Sequence, residues 1–187
     1  MRVTLYLVGA LALGAVAMAP TAARAGTTTA TTATAKAALD DPTIVAIFDA
    51  ANTWDVETSG IGEKKATTKE IRDLAAMFVR DHKAVRQQGR DLAKKLNVTP
   101  TPPGPDFPLA KSHADAMTKL NATTGKAFDR AYLENEVAYH KAVIDAITGT
   151  LLPATKNAEL KDLEVKVAPA FQAHMAAAQR LLDGLPK

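Results

Sequence analysis

Apolar residues recur at intervals of three or four along four long stretches of the chain. These stretches run from Ile44 to Ile61, from Ile71 to Leu96, from Phe128 to Ile147 and from Leu160 to Leu185. The spacing matches the turn of an α-helix and places the apolar side chains on one face. No stretch has the pattern of a β-strand. The sequence therefore predicts an all-α protein whose four long helices pack around a shared core.

Residues that begin and end helices lie at the borders of the first two stretches. Asp41 before Pro42 predicts the start of the first helix, with Asp41 as its cap. Thr67 and Glu70 have the spacing of a capping box and predict the start of the second helix. Asn97 predicts its end in the left-handed conformation. Because the connection is short, the two helices are expected to be antiparallel neighbours.

The second half of the chain has similar signals. Gly125 is expected to open the third long helix and Pro153 to close it, while Asn157 is expected to cap the last one. Pro169 lies inside the apolar pattern of the last helix. It predicts a kink or a break there, because proline cannot donate the backbone hydrogen bond.

A proline-rich segment separates the two pairs of helices. Five prolines lie between Asn97 and Pro108, which excludes a helix there, and a short helix from Leu109 to Leu120 is expected to follow. Two antiparallel pairs joined by one long crossover have the connectivity of ferritin-like bundles. We therefore predict a ferritin-like antiparallel four-helix bundle over residues 41–185, with this crossover between helices two and three and one extra short helix.

The amino terminus has the features of an export signal. Met1 and Arg2 are followed by an apolar run from Leu5 to Ala19 and by a small-x-small site that ends at Ala25. This order predicts a Sec signal peptide over residues 1–25, cleaved after Ala25, and a periplasmic or secreted protein. The apolar run is shorter than the roughly 20 residues of a membrane span. Residues 26–40, rich in Thr and Ala, are expected to form a flexible tether.

Composition narrows the possible functions. The 187 residues include no cysteine, which excludes a disulfide scaffold, a thiolate metal site and a cysteine nucleophile. The formal charge of +3 would fall to +1 after removal of the signal peptide, so a nucleic-acid partner is not expected. No phosphate-binding glycine loop, nucleophile elbow or zinc-protease motif occurs. We therefore expect a protein that is not an enzyme.

Three of the four histidines lie on the apolar faces of long helices. They are His82, His140 and His174, and Glu136 lies one turn before His140 on the same face. Helical bundles build metal sites from imidazoles and carboxylates that project inward from facing helices. These residues, together with Glu57 of the first helix, are therefore candidate ligands of iron, manganese, zinc or copper.

Helix geometry favours a different arrangement of these side chains. At about 1.5 Å per residue, His140 and His174 differ in height by roughly 9 Å, and Glu57 and His82 by roughly 10 Å. Asn52 or Asp55 would lie closer to the level of His82. A single ion shared by the three histidines would therefore be strained, and a layered network of buried hydrogen bonds fits the heights better.

Three further polar residues are candidates for such a structural network. Asp81 precedes His82, Asp129 lies in the first turn of the third long helix, and Tyr132 follows three residues later on its inward side. A buried tyrosine needs a partner for its hydroxyl group. We expect these three residues to have structural rather than catalytic roles.

The motifs together resemble family 4142 of domains of unknown function, whose members are exported bacterial proteins often described as outer-membrane proteins and grouped with ferritin-like folds. The resemblance covers about residues 41–182 and rests on Asp55–Glu57, Arg80–Lys83, Phe128–Tyr132 with His140, and Pro169 followed by His174. It implies the helical bundle and export, but no reaction. Glu136 and His140 are four residues apart, whereas the motifs of di-iron ferritin-like proteins have a spacing of three.

Two hypotheses follow for the function. The first, which the sequence favours, is a non-enzymatic periplasmic bundle that acts in envelope stress or in interactions, with an envelope partner or a second copy of the chain. In this hypothesis the inward histidines form a buried polar network. The second is a metal-binding or redox bundle that uses the inward His and Glu residues.

Overall fold

The computed structural model describes residues 39–104 and 107–186, and within them the secondary structure is entirely helical. The all-α prediction is therefore confirmed. The predicted signal peptide and residues 26–38 of the predicted tether lie outside the described residues. The helices are α1 (Asp41–Lys65), α2 (Lys69–Lys95), α3 (Pro108–Ala122), α4 (Gly125–Ala146), a π-helical segment (Ile147–Leu151), α5 (Leu152–Ala154) and α6 (Ala158–Asp183).

The first two helices begin one residue away from the predicted caps. Asp40, not Asp41, caps α1 by accepting a hydrogen bond from the backbone N–H of Thr43. Thr68, not Thr67, caps α2. The predicted caps are wrong because both side chains are used elsewhere. The Asp41 carboxylate accepts backbone N–H groups of the loop before α6, and Thr67 donates to Asp129.

The other helix ends follow the sequence more closely. Asn97 has a φ of 53°, which confirms the left-handed end of α2. Asn157 caps α6, as predicted, by accepting from the N–H of Leu160. α6 continues through Pro169, so of the expected kink or break the break does not occur. The third long helix passes into the π-helical segment, which the sequence analysis did not foresee.

The four long helices contact one another in a ring. α1 packs along α2, α2 against α6, α6 against α4, and α4 against α1, while α3 packs against α1 and α4. The turn of three residues between α1 and α2 makes these helices antiparallel neighbours. None of the described helices is long and apolar enough to cross a membrane. The ring leaves one shared interior to which every long helix contributes.

A polar layer divides that interior between two apolar clusters. The first cluster includes Phe48 of α1 and Phe171 of α6, and the second includes Phe78 of α2 and Phe128 of α4. Each long helix contributes one end to the first cluster and the other end to the second, and its buried polar residues lie between the two ends. The members of this layer are Asn52, Asp55, Thr58, Ser59, His82, Glu136, His140 and His174.

Two glycines of α1 are expected to respond in opposite ways to replacement by alanine. A Cβ atom at Gly62 would lie 2.8 Å from the ring of Tyr132. A Cβ atom at Gly60 would have no neighbouring atom within 4 Å. Gly62→Ala should therefore lower the free energy of unfolding by about 1–3 kcal/mol through overpacking. Gly60→Ala should raise it by about 0.5–1 kcal/mol, because alanine is the better helix former. Urea titrations of the two variants check the signs, and equal effects would contradict the close packing at Gly62.

Candidate metal centre

The three inward imidazoles converge on one point between α2, α4 and α6. The Nε2 atom of His82 lies 3.3 Å from Nε2 of His140 and 3.3 Å from Nδ1 of His174. All three ligand atoms lie within 4.8 Å of one another. The three residues are buried, with exposed fractions of 1–5%. The ring atoms therefore form a compact cluster of nitrogens that water does not reach.

Asp55 of α1 completes the cluster from the fourth side. Its Oδ2 atom lies 3.5 Å from Nε2 of His82 and 3.6 Å from Nε2 of His140. This oxygen is buried and accepts no hydrogen bond from an N–H or hydroxyl group of the described residues, and the carboxyl group of Glu136 lies within 4.8 Å of Asp55. A buried acceptor without a partner costs about 1–3 kcal/mol. An oxygen that faces two imidazole nitrogens in this way can act as a ligand of a cation.

The expected height mismatch between the histidines is wrong. It assumed a turn near residue 154, but the loop between the helices spans residues 155–157. From residue 156, His140 lies 16 positions back and His174 lies 18 forward, a mismatch of only about 3 Å at the rise of an α-helix. The two rings lie at nearly the same level because the centre of the loop is at residue 156, two residues after the predicted turn.

Hydrogen bonds on the outer side of each ring determine which nitrogen carries the proton. Nδ1 of His82 lies 2.9 Å from Oδ1 of Asn52, and Nδ1 of His140 lies 2.9 Å from the backbone carbonyl oxygen of Glu136. Nε2 of His174 lies 3.2 Å from the carboxylate of Asp81. Each of these partners is an acceptor, so each outer nitrogen must donate. The three inner nitrogens of the neutral rings are therefore free of protons.

Burial keeps these rings neutral. It lowers the pKa of His140 to about 4, and it lowers the pKa of His82 well below its ordinary value, with help from the two neighbouring histidines. Burial also lowers the pKa of His174. At neutral pH the lone pairs of the three rings thus face one another with no proton between them. A cation at their centre would satisfy all three nitrogens at once.

Four distances in the cluster are close to those between the ligands of a tetrahedral metal ion. Metal–nitrogen bonds of about 2.0–2.1 Å give ligand-to-ligand distances of about 3.3–3.4 Å in a tetrahedron. Nε2 of His82 lies 3.3 Å from the inner nitrogen of each of the other two rings, and the Asp55 oxygen lies 3.5–3.6 Å from His82 and His140. The inner nitrogens of His140 and His174 lie within 4.8 Å of each other.

A second carboxyl group lies beside Asp55. Oε1 of Glu136 accepts hydrogen bonds from Thr58 and Asn135, whereas its buried Oε2 has no partner and lies 3.6 Å from Nδ1 of His140. Burial raises the pKa of Asp55 to about 7 and that of Glu136 well above its ordinary range, the latter also through the charge of Asp55. The pair therefore holds a proton at neutral pH in the metal-free protein.

The structure separates Glu57 from the other predicted ligands. Glu57 is exposed, and its carboxylate lies 2.8 Å from Nε2 of His113 on α3. The ring of His113 stacks on Trp54. The chain thus brings His82, His140 and His174 together with Glu136 nearby, and places Glu57 outside the cluster.

The three residues expected in a structural network all make buried or half-buried contacts. Asp129 accepts from the backbone and side chain of Thr67 and so connects the start of α4 to the turn before α2. The hydroxyl of Tyr132 lies 3.1 Å from Oγ of Ser59. Asp81 holds the outer nitrogen of His174. Asp81 therefore contacts a candidate ligand directly, Tyr132 contacts one through Ser59, which donates to Asp55, and Asp129 supports the fold.

Asp55 and Asn52 could have been chosen from the sequence as members of the site. With Ser59 they continue the inward face of α1 at steps of three and four residues, and Gly62 follows at the next step. Glu57 is two positions from Asp55, which corresponds to about 200° around the helix. A polar run on an otherwise apolar face was the signal that could have identified them.

Asp81→Asn is expected to weaken metal binding about 10–100-fold, the usual effect of losing a partner that orients a ligand. Burial opposes ionisation of Asp81, but hydrogen bonds from Arg80 and His174 lower its pKa, so it is an ionised acceptor. Isothermal titration with Zn(II) measures the change. Asp73→Asn is the control on the same helix, because Asp73 is exposed and pairs only with Lys69. Equal affinities of the two variants would contradict the orienting role.

Four long helices whose interior holds three imidazoles and a carboxylate define a helical protein with a candidate metal centre. The family model described as "Domain of unknown function (DUF4142)" matches residues 26–181. The chain therefore belongs to this family, which confirms the inference from the motifs.

The fold is shared with a solved structure described as "CopM in the Cu(II)-bound form". The TM-score is 0.62 at 14% sequence identity, and the alignment covers 79% of this chain and 100% of that one. At this identity the likeness establishes a common fold. The comparison with curated proteins finds no match.

Proposed function

We propose that the protein binds one transition-metal ion through His82, His140, His174 and Asp55. The observation that carries the proposal is the convergence of three proton-free nitrogens within 4.8 Å of one another, with the Asp55 oxygen 3.5–3.6 Å from two of them. A purely structural network would place donors opposite acceptors. This cluster places acceptors opposite acceptors, so a cation is the partner that it lacks.

The donor set favours a metal from the later part of the first transition series. Imidazole nitrogens suit zinc, copper, nickel and iron, whereas magnesium and calcium prefer oxygen ligands. The burial of the cluster and its four nearby donor atoms favour an ion that accepts a low coordination number. Of the four metals expected from the sequence, zinc and copper fit these features best.

Copper is the first metal to test for a natural role. The solved structure that shares the fold carries Cu(II) by its description, and the affinity of nitrogen and oxygen sites for divalent ions is highest for Cu(II) in this series. We further propose that the protein works outside the cytoplasm, where the predicted signal peptide would deliver it. Outside the cytoplasm, copper binding by a site without cysteine would not be affected by thiol oxidation.

The deciding experiment is a metal titration of chelator-treated protein. The wild type is expected to bind Cu(II) and Zn(II) at one equivalent, and His140→Ala to lose stoichiometric binding because it removes a central ligand. His113→Ala is the matched control, since His113 is the one histidine outside the cluster. It should bind like the wild type.

Two results would contradict the proposal. One is a wild type that binds no ion at one equivalent in the titration. The other is an affinity of His140→Ala equal to that of His113→Ala, because binding would then take place at surface groups. Either result would leave the histidines with the role of a buried network that holds the helices together.

A further inference from the structure

A small, partly open cavity lies beside the candidate metal centre. It has a volume of about 20 Å³, and the rings of His82 and His140 form part of its wall together with Asn52, Tyr139 and Phe171. The rest of the wall is apolar. One water-sized sphere needs roughly 10–15 Å³ measured in the same way, so the cavity admits a molecule of about two non-hydrogen atoms.

The amide, the hydroxyl and the outer ring nitrogens in the wall are occupied by partners outside the cavity. The amide of Asn52 donates to the carbonyl oxygen of Phe48 and accepts from His82. The hydroxyl of Tyr139 donates to the carbonyl oxygen of Ala51 at 2.7 Å. The outer nitrogen of His140 donates to the backbone. A buried water needs two to four polar partners, and apolar cavities that lack them stay dry and take up apolar molecules.

The π-helical segment helps to form this cavity. Ile147 and Leu151, its first and last residues, both contribute to the wall, and Ala146 precedes them. A π-helical turn inserts one extra residue per hydrogen-bonded ring and occurs frequently at functional sites. At Ala146 the wall has a methyl group where a larger side chain would fill the space.

We propose that this cavity takes up a small apolar molecule of the size of dioxygen and holds it next to the metal ion. The position next to the metal rests on the proposed function, whereas the uptake depends only on the cavity. The occupant is identified by three properties of the wall: a volume for about two atoms, an almost wholly apolar lining and contact with two rings that would carry the ion.

The test uses dissolved dioxygen as the probe of the full metal-free chain. Dioxygen is paramagnetic, so it speeds the relaxation of nearby methyl protons in nuclear magnetic resonance spectra. The methyl groups of Ile47, Val143 and Ile147 line the cavity and should relax several-fold faster under oxygen pressure than those of Ile71 and Leu133. The latter are equally buried in the second apolar cluster and serve as internal controls.

Variants of the wall make the test specific. Ala146→Leu should fill the cavity and remove the enhancement, whereas Ala138→Leu, an exposed change on the same helix, should leave it unchanged. Val143→Ala enlarges the cavity and should increase the enhancement at Ile147, which keeps the proposal testable if Ala146→Leu fails to fold. Equal enhancement in the two apolar clusters, or enhancement that survives in folded Ala146→Leu, would overturn the proposal.

These outcomes are independent of the metal titration. Because the relaxation is measured without metal, a chain that binds no ion can still show dioxygen in the cavity, and that result would contradict the proposed function alone. A chain that binds one ion but shows no selective relaxation would overturn the cavity proposal alone.

Discussion

Metal-free protein is expected to gain about 5–10 °C in melting temperature when free Zn(II) or Cu(II) reaches 100 times its Kd. An ion that binds only the folded chain adds about 2.7 kcal/mol at this concentration. In a domain of this size, each kcal/mol raises the melting temperature by about 2–4 °C. The gain requires binding to the folded chain alone, which is expected because only the fold brings the three ring nitrogens together.

Differential scanning calorimetry with and without metal measures this gain. His174→Ala should lose most of it, because it removes one ligand atom from the centre, whereas His113→Ala should keep it. Removal of the ion with a chelator should restore the lower melting temperature. A rise of equal size in both variants would mean that the ion stabilises the protein at some other place.

The helices could be predicted from the sequence because their signals are local. The inward face of α2, with Ile71, Leu74 and Phe78, repeats at the helical period, and Asn97 ends the helix through its own backbone conformation. Such features depend on neighbouring residues alone. The caps of α1 and α2 differ from the predicted ones by one residue because the predicted side chains bind distant partners, as Thr67 binds Asp129.

The candidate site depended on distances that the sequence does not contain. The level of His140 relative to His174 is determined by which residues form the loop at 155–157, and a shift of two residues there changes the relative height by about 6 Å. That shift decides whether two imidazoles meet or miss each other. The identity of the inward residues was therefore predictable, whereas their convergence was not.

The polar layer is costly for a small helical domain. On every long helix, polar residues replace apolar ones at the same level of the bundle. They divide the apolar interior into two clusters. Buried polar groups stabilise a fold less than well-packed apolar residues of similar volume. A layer whose inner atoms are also unpaired is better explained by ion binding than by stability.

Asp55→Asn is expected to stabilise the metal-free protein and to weaken metal binding. The new amide nitrogen can occupy the place of Oδ2, 3.5–3.6 Å from the proton-free nitrogens of His82 and His140, and donate to one of them. Removal of the unpaired acceptor should raise the free energy of unfolding by about 1–3 kcal/mol at pH 8. The same change removes a carboxylate ligand and should lower Zn(II) affinity at least about tenfold.

The stabilisation should depend on pH in a defined direction. Burial raises the pKa of Asp55 from 3.8 to about 7, although hydrogen bonds with Glu136 and Ser59 act in the opposite direction. Between these values the folded wild type binds a proton that the unfolded chain does not, so its stability falls as pH rises. The advantage of Asp55→Asn should therefore be small near pH 4, grow towards pH 7 and stay constant above it.

The neighbouring histidines act with the opposite sign but are common to both proteins. Their lowered pKa values make the folded state lose stability as pH falls below about 6.5, towards about 4 for His140. This loss occurs in both proteins, so the difference between their unfolding curves isolates Asp55. Asp145→Asn is the control, because Asp145 is exposed and pairs only with Lys141. A metal-free Asp55→Asn protein less stable than wild type at pH 8, with unchanged Zn(II) affinity, would show that Asp55 supports the fold and leaves the ion to other groups.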